Sequence, residues 1–273
     1  VKIAVAFFGL PRCSEVTFPS IKQQIFAHLP TNAEVRFFFH FYFQNEVINT
    51  HSNESGVLAA SNYSPFQSFE GVLERPEDVF QELNVEEFKK FGNAWPIDDH
   101  FMSLRNLLLQ LRSLKKVTEL VENFGPDCVL FARPDLFYHD PIPSYYYDAS
   151  MTYKNAIFVP PWQWGIGLND RFCLAGKNAY KAYGNRVDEA LNYCMEGKRP
   201  LHSERLLKYA ITKQKKEVYI INTKASRVRI NGEFVKEKFG TNISFFSPIS
   251  NPHKRFLFLS KVKTRFKLMA FKK

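Results

Sequence analysis

The residues best equipped for chemistry stand where an apolar run breaks off. In FARPDLFYHD, residues 131–140, the run Cys128 to Ala132 stops at Arg133, Pro134 and Asp135, and a second carboxylate, Asp140, follows. Such a strand end can serve an anionic ligand. The planar fork of Arg133 meets phosphate oxygens two at a time, and Asp135 is a carboxylate that a divalent cation would seek. The same pair also suits a local ion pair that shapes the turn around Pro134. Spacing alone leaves both readings open.

A second constellation is PPWQWGIGLNDRF, residues 160–172. Trp162 and Trp164, beside Gly165 and Gly167, read as a flexible loop with flat apolar faces suited to stacking on a sugar ring or base. Asn169, Asp170 and Arg171 then set an amide, a carboxylate and a guanidinium side by side. Asp170 has the chemistry of a general base on an acceptor hydroxyl, and the triplet equally suits a turn and helix cap. In LHSERLLKYA, residues 201–210, Ser203 is placed to cap a helix with Glu204 in its first turn. The functional alternative there puts His202 or Glu204 at the mouth of a site. Gly9 and Arg12, in FFGLPRC, offer a close backbone approach and a guanidinium for phosphate. No Gly-x-Gly-x-x-Gly, P-loop, His-Glu-x-x-His or Gly-x-Ser-x-Gly pattern is present.

These residues need elements to hold them. KIAVAFFGLPR reads as a buried strand broken by Gly9 and Pro11, with a helix through FPSIKQQIFAHL and a second strand, AEVRFFFHFYF. The polar region 44–98 carries a short helix near 76–91. Residues 101–122 give the clearest helix, with Phe101, Leu104, Leu107, Leu108, Leu111, Leu114, Thr118 and Val121 at three- and four-residue spacing. Gly125-Pro126 ends it, and DCVLFA is a central strand. A Pro- and Tyr-rich loop (141–153), a short strand AIFVP, helices near 176–195 and 202–214, a strand EVYIIN and the segment RVRINGE complete the body. Strand–helix–strand alternation predicts an α/β sheet with parallel neighbours. Ligands then sit beyond the carboxyl ends of the strands, which makes Gly9–Arg12, His40–Tyr42 and Arg133–Asp135 the expected walls.

The totals constrain the function class. The 273 residues are 45% hydrophobic and carry a formal charge of +10, a length that fits one large domain or two small ones and can bury a substantial core. The excess charge is local: residues 254–273 hold Lys254, Arg255, Lys261, Lys263, Arg265, Lys267, Lys272 and Lys273 and no acid. Without them the chain is nearly balanced, which argues against nucleic acid as a partner, since such proteins spread charge over a folded face. The division is a folded domain over 1–250 and a basic amphipathic tail over 251–273. Such a tail suits contact with a membrane surface, or a helix packed on the body. Cys13, Cys128, Cys173 and Cys194 are too dispersed for a zinc site and read as reduced core thiols. Because the chain opens on a strand-like segment at Val1, the expectation is of no signal peptide. The expected setting is therefore cytoplasmic, peripheral at a membrane, or a Golgi-type lumen if an anchor precedes Val1. Asn53, Asn62 and Asn242 stand in Asn-x-Ser sequons, which fix no compartment.

Taken in order, FFGLPR, FFFHFY, SLRNLLLQLRSLKKV, FARPDLFYHDPI, VPPWQWGIGLNDRF, AYGNR and LHSERLLKYAI resemble a small glycosyltransferase-like family of bacteria, large DNA viruses and plants. That family is similar to nucleotide-sugar transferases of the GT-A fold, and the resemblance spans most of residues 2–232. It implies a GT-A-like (Rossmann-like) single domain: a mixed, mostly parallel sheet flanked by helices. It also implies transfer of a sugar from a nucleotide-diphosphate donor to a hydroxyl of a glycan acceptor. The GT-A strand end is Asp-x-Asp, so Asp135 takes the place of the metal-binding residue, for manganese or magnesium, and Arg133 replaces its partner. The implied roles are Asp170, then Glu204, as catalytic residues; Gly9, Arg12, Arg133, Asp135, Asn169 and Arg171 on the donor; and Trp162, Trp164 and His202 on the acceptor. The competing reading is a non-catalytic carbohydrate-binding protein on a degenerate transferase fold.

Overall fold

A computed structural model describes residues 1–49, 53–95, 99–164 and 166–240. The basic tail, the domain boundary expected at 250, Gly165 and the sequon at Asn242 lie outside the described residues. In chain order the strands and helices are β1 (Lys2–Gly9), α1 (Ser14–Gln24), β2 (Glu34–Tyr42), β3 (Glu46–Asn49), β4 (Glu54–Val57), β5 (Glu70–Glu74), α2 (Pro76–Val79), α3 (Val85–Lys89) and α4 (Met102–Phe124). There follow β6 (Cys128–Ala132), β7 (Leu136–Tyr138), α5 (Ser144–Thr152), β8 (Ala156–Val159), β9 (Phe172–Gly176), α6 (Tyr180–Gly184), α7 (Ala190–Gly197), α8 (Ser203–Lys213), β10 (Glu217–Ile220) and β11 (Ala225–Arg227).

One seven-stranded sheet organises the molecule, in the order β10-β8-β9-β6-β1-β2-β5. Its pairings are parallel except those of β9, which runs against both β6 and β8. This is the mixed, mostly parallel, helix-flanked sheet that the sequence led one to expect. The apolar character of β1 follows from its place: Ile3 to Phe8 are all fully buried. Alternate side chains serve opposite faces. Ile3, Val5 and Phe7 join the core with Ile21 of α1 and Tyr147 of α5, whereas Ala4, Ala6 and Phe8 join Leu114, Val117 and Val121 of α4 and Leu207 of α8. Each large side chain so buried contributes roughly 1.5–3 kcal/mol.

Helix α4 realises its sequence periodicity, burying Leu104, Leu108, Leu111, Leu114, Thr118 and Val121. It ends at Gly125 in the left-handed conformation, φ 63°, a position that glycine takes without steric cost. The other expectations needed adjustment. The first helix begins at Ser14, before FPSIK, and carries Pro19 inside it. The region 76–91 breaks at Asn84, φ 48°, into α2, a 3-10 turn and α3. The expected loop 141–153 contains α5. The hairpin β3–β4, edge strand β5 and antiparallel β9 are short and irregular in pattern, and the sequence reading gave none of them. All four cysteines are free and buried, as expected.

Candidate functional site

Sheet register decides which charged residues meet. β1 pairs with β2 so that Gly9 stands opposite Phe41, and with β6 so that Phe7 stands opposite Ala132. The residues that follow, Leu10, Tyr42 and Arg133, therefore emerge at one sheet edge. Antiparallel β9 starts at Phe172 opposite Ala132, which sets Asp170 and Arg171 beside Arg133. β11 pairs with β7, placing Arg227 opposite Leu136, and the Val228 N–H donates to the Asp135 carbonyl at 2.9 Å. At the start of α8, the Leu168 N–H donates to the Glu204 carbonyl at 3.1 Å. These pieces enclose a cleft of about 620 Å³ whose walls include Gly9, Arg12, Tyr42, Trp95, Gln110 and Arg133, together with Asp170, Arg171, His202, Glu204, Arg227 and Arg229. Gly9 turns the chain at φ 102° and donates its N–H to Ser113 Oγ at 3.0 Å.

The floor is a lattice of guanidinium groups on buried carboxylates. Arg133 grips Asp135 bidentately, Nε to Oδ1 at 2.9 Å and Nη2 to Oδ2 at 2.7 Å, and donates to Gln110 Oε1 at 2.9 Å. Arg12 lies 3.6 Å from the same carboxylate and 3.2 Å from Glu54. Glu54 also accepts from Arg229 Nη1 and the Ile230 N–H, each at 2.9 Å. Arg227 donates to Glu237 at 2.8 Å. Burial works against ionising Asp135, but Arg133 and then Arg12 and Arg227 outweigh it and hold the carboxyl well below its usual range. Arg171 runs the other way: burial, then the like charge of Arg227, lowers its affinity for its proton despite Asp170. The Nε atoms of Arg12 and Arg171 are buried and have no hydrogen-bond partner among the described residues.

Two carboxyls at the far wall differ sharply. Asp170 is 2% exposed. Burial would raise it, but Arg171 at 3.5 Å, the fully buried Arg186 at 4.0 Å and the Ser203 hydroxyl, which donates to Oδ2, keep it ionised. The Glu204 carboxyl has no hydrogen-bond partner among the described residues, and burial, then the charge of Asp170, pushes it up to about 7. His202 is lowered by burial and then by Arg205, and its ring lies 5.3 Å from that of Trp95. The pair of environments thus leaves one carboxylate fixed and one carboxyl titrating near neutrality, the arrangement that separates an anchor from a proton acceptor.

Of the sequence-derived site residues, Gly9, Arg12, Arg133, Asp170, Arg171, His202 and Glu204 come together on the cleft. Others do not line it. Asp135 lies beneath the floor, 1% exposed. Asn169 is buried and donates to the Trp162 carbonyl at 2.9 Å while accepting from the Arg171 N–H at 2.9 Å, which is the turn-forming role. Trp162 is 2% exposed, donates to the Thr223 carbonyl at 3.1 Å and packs on Phe239, so no face is free for stacking. Trp164 donates to the Pro160 carbonyl and packs against the core. Asp140 turns away to accept from the Lys224 N–H at 3.2 Å. Ser203 is not a cap: His202 holds the N-cap position with no side-chain bond, and the Ser203 hydroxyl goes to Asp170. Trp95, Glu54, Arg227 and Arg229 escaped the sequence reading. A signal existed for the two arginines, since alternate residues of an extended segment share a face.

The loop before β9 is tight rather than flexible at Gly167. A Cβ there would lie 2.2 Å from the backbone carbonyl of Glu204. Gly167→Ala is expected to cost about 1–3 kcal/mol through overpacking and to displace Glu204. Thermal melting, with amide exchange at Leu168, checks this; an unchanged melting temperature and unchanged protection would contradict it.

Asp135 does not fit the expected metal. Both of its oxygens are engaged by Arg133, and Arg12 flanks them. Among the described residues no group of three or more His, Cys, Asp or Glu side chains is disposed to hold a metal ion.

No family model matches the chain, and no curated protein sequence does. Among solved structures it is similar to the crystal structure of mouse xyloside xylosyltransferase 1 in its apo form. Identity is 10%, with 81% of this chain and 85% of that chain covered, at a TM-score of 0.43.

Proposed function

We propose that this protein is a glycosyltransferase that moves a sugar from a nucleotide-diphosphate donor to a hydroxyl of a glycan acceptor. The carrying observation is the pairing, across one cleft, of a cationic floor with a carboxyl that titrates near neutrality. Departure of a nucleoside diphosphate builds negative charge, and preorganised guanidiniums stabilise that charge most where water is excluded. Glu204 takes the acceptor hydroxyl proton as the acceptor oxygen bonds to the sugar C1. The bond from C1 to the diphosphate oxygen breaks, and its electron pair leaves with the diphosphate. Asp170, the first choice from sequence, is held ionised by Arg171, Arg186 and Ser203 and is thereby a weak base. It supports Glu204 instead, by raising its proton affinity. Trp95 and His202 supply the apolar wall that Trp162 and Trp164, turned inward, do not offer.

The test is a panel of nucleotide-diphosphate sugars followed for donor hydrolysis and for transfer to glycan acceptors. Turnover of one donor is expected, together with a tenfold or so higher acceptor KM in Trp95→Ala, on the order of one lost ring contact. Binding of free glycan with no binding of any nucleotide sugar would replace this reading with the carbohydrate-binding one.

A further inference from the structure

The cleft floor bears on how a diphosphate is neutralised, a question that rests on the transfer reading above. We infer that the diphosphate of the donor is held by guanidinium groups alone, Arg12 with Arg229 and Arg171 with Arg227, in a site that takes no divalent cation.

Three observations carry this. First, the carboxylates a cation would need are already engaged. Asp135 is gripped by Arg133. Glu54 accepts from Arg12, Arg229 and Ile230, and Glu237 accepts from Arg227 and Gln163. Asp170 accepts from Ser203. Among the described residues on the cleft, that leaves Glu204 as the carboxyl with no donor. A single carboxyl amid five cleft-lining arginines is a poor ligand set for a hard cation, which needs several oxygens and is repelled by like charge.

Second, the guanidiniums are short of acceptors. The Nε of Arg12 and the Nε of Arg171 are buried and unpartnered among the described residues. Buried donors left unmatched are costly, and an anion in the cleft would match them. Arg171 also lies close enough to Arg227 that, after burial, the like charge weakens its hold on its own proton, and an anion between the two would relieve that repulsion.

Third, the arginines come in two pairs. Arg12 and Arg229 converge on a single oxygen of Glu54, at 3.2 and 2.9 Å. Arg171 and Arg227 are set by the start of β9 and the end of β11. Two forked pairs fit two linked phosphoryl groups, each with oxygens for bidentate contact.

Isothermal titration of the full chain with inorganic pyrophosphate, inorganic phosphate and UDP, each in EDTA and again with manganese, tests the assignment. Pyrophosphate and UDP are expected to bind in EDTA, and manganese is expected not to tighten either. Arg171→Gln and Arg229→Gln should each weaken pyrophosphate by about tenfold to a hundredfold, the scale of one charge-assisted pair. Arg229→Lys, which keeps the charge and loses the fork, should fall between. Arg36→Gln, an exposed site remote from the cleft, should bind as the parent does and shows that charge removal alone has no effect. Binding only with manganese, parental affinity in both Gln variants, or phosphate binding as tightly as pyrophosphate would overturn the inference. Manganese-dependent UDP binding with sugar transfer would remove the cation-free site and leave the transfer reading standing. Cation-free UDP binding with no transfer from any nucleotide sugar would support the site and remove the transfer reading.

Discussion

Replacing Glu204 with Gln is expected to lower sugar transfer by about two to four orders of magnitude, the usual range for a lost general base, while leaving the fold intact. The substitution keeps the size and hydrogen-bonding shape of the side chain and removes its ability to take a proton. In the parent, burial and then the charge of Asp170 put the carboxyl at about 7 rather than the ordinary 4.5. The rate should therefore rise with pH and reach half its maximum near neutrality, and the Gln variant should lose that limb. A stability effect of opposite sign accompanies it. Because the folded value lies above the unfolded one, the folded state binds the proton more tightly between 4.5 and about 7. Glu204 therefore costs stability as pH rises through that window, by about 3 kcal/mol at most. Glu204→Gln should melt higher than the parent at pH 8 and equally at pH 4. A variant that is slow but no more stable at pH 8 would place Glu204 in binding rather than proton transfer, and parental turnover would remove it from the chemistry altogether.

Arg133→Ala should be the most destabilising single change on the cleft. It strips both bidentate bonds from Asp135, which is 1% exposed and keeps, among the described residues, Arg12 at 3.6 Å and the more distant charge of Arg227. Breaking a buried pair by removing one partner costs about 3–5 kcal/mol, or a fall of about 10 °C in melting temperature for a domain of this size. The double variant Arg133→Met with Asp135→Leu separates structure from function. With no buried charge left unpaired, it should recover most of the lost stability, since apolar replacements of buried pairs are close to neutral. It should not recover turnover, because the cleft wall contributed by Arg133 stays uncharged. A double variant that regains turnover along with its melting temperature would make the pair purely structural.

Much of the frame was legible in the chain. The continuous apolar run of β1, the three- and four-residue spacing of α4 and the abrupt charge after Ala132 follow from local rules of burial and periodicity. They yielded the sheet, its longest helix and the edge where charged residues meet. The Arg-Pro-Asp turn was legible as both an ion pair and a cleft wall, and the structure makes it both: the pair holds Asp135 below the floor while Arg133 lines the cleft. The aromatic loop was legible in composition and misleading in direction. Trp162 and Trp164 were expected to face a ligand; Trp162 instead is buried in the core and Trp164 packs half-buried against it, whereas Trp95, from a segment with no periodic pattern, stands at the cleft.

By itself the sequence determined what local chemistry determines: which segments must be buried, where strands end, and which charged side chains are available. Tertiary structure decided which of those charges share a dielectric. The antiparallel insertion of β9 carries Asp170 and Arg171 to Arg133, and the β7–β11 ladder carries Arg227 and Arg229 to the same floor, from positions remote in the chain. None of the roles proposed here, as anchor, base or phosphate fork, could exist before that meeting. A carboxyl's proton affinity and a guanidinium's unmet donors depend on burial and on neighbours remote in sequence, and these are properties of the folded cleft alone.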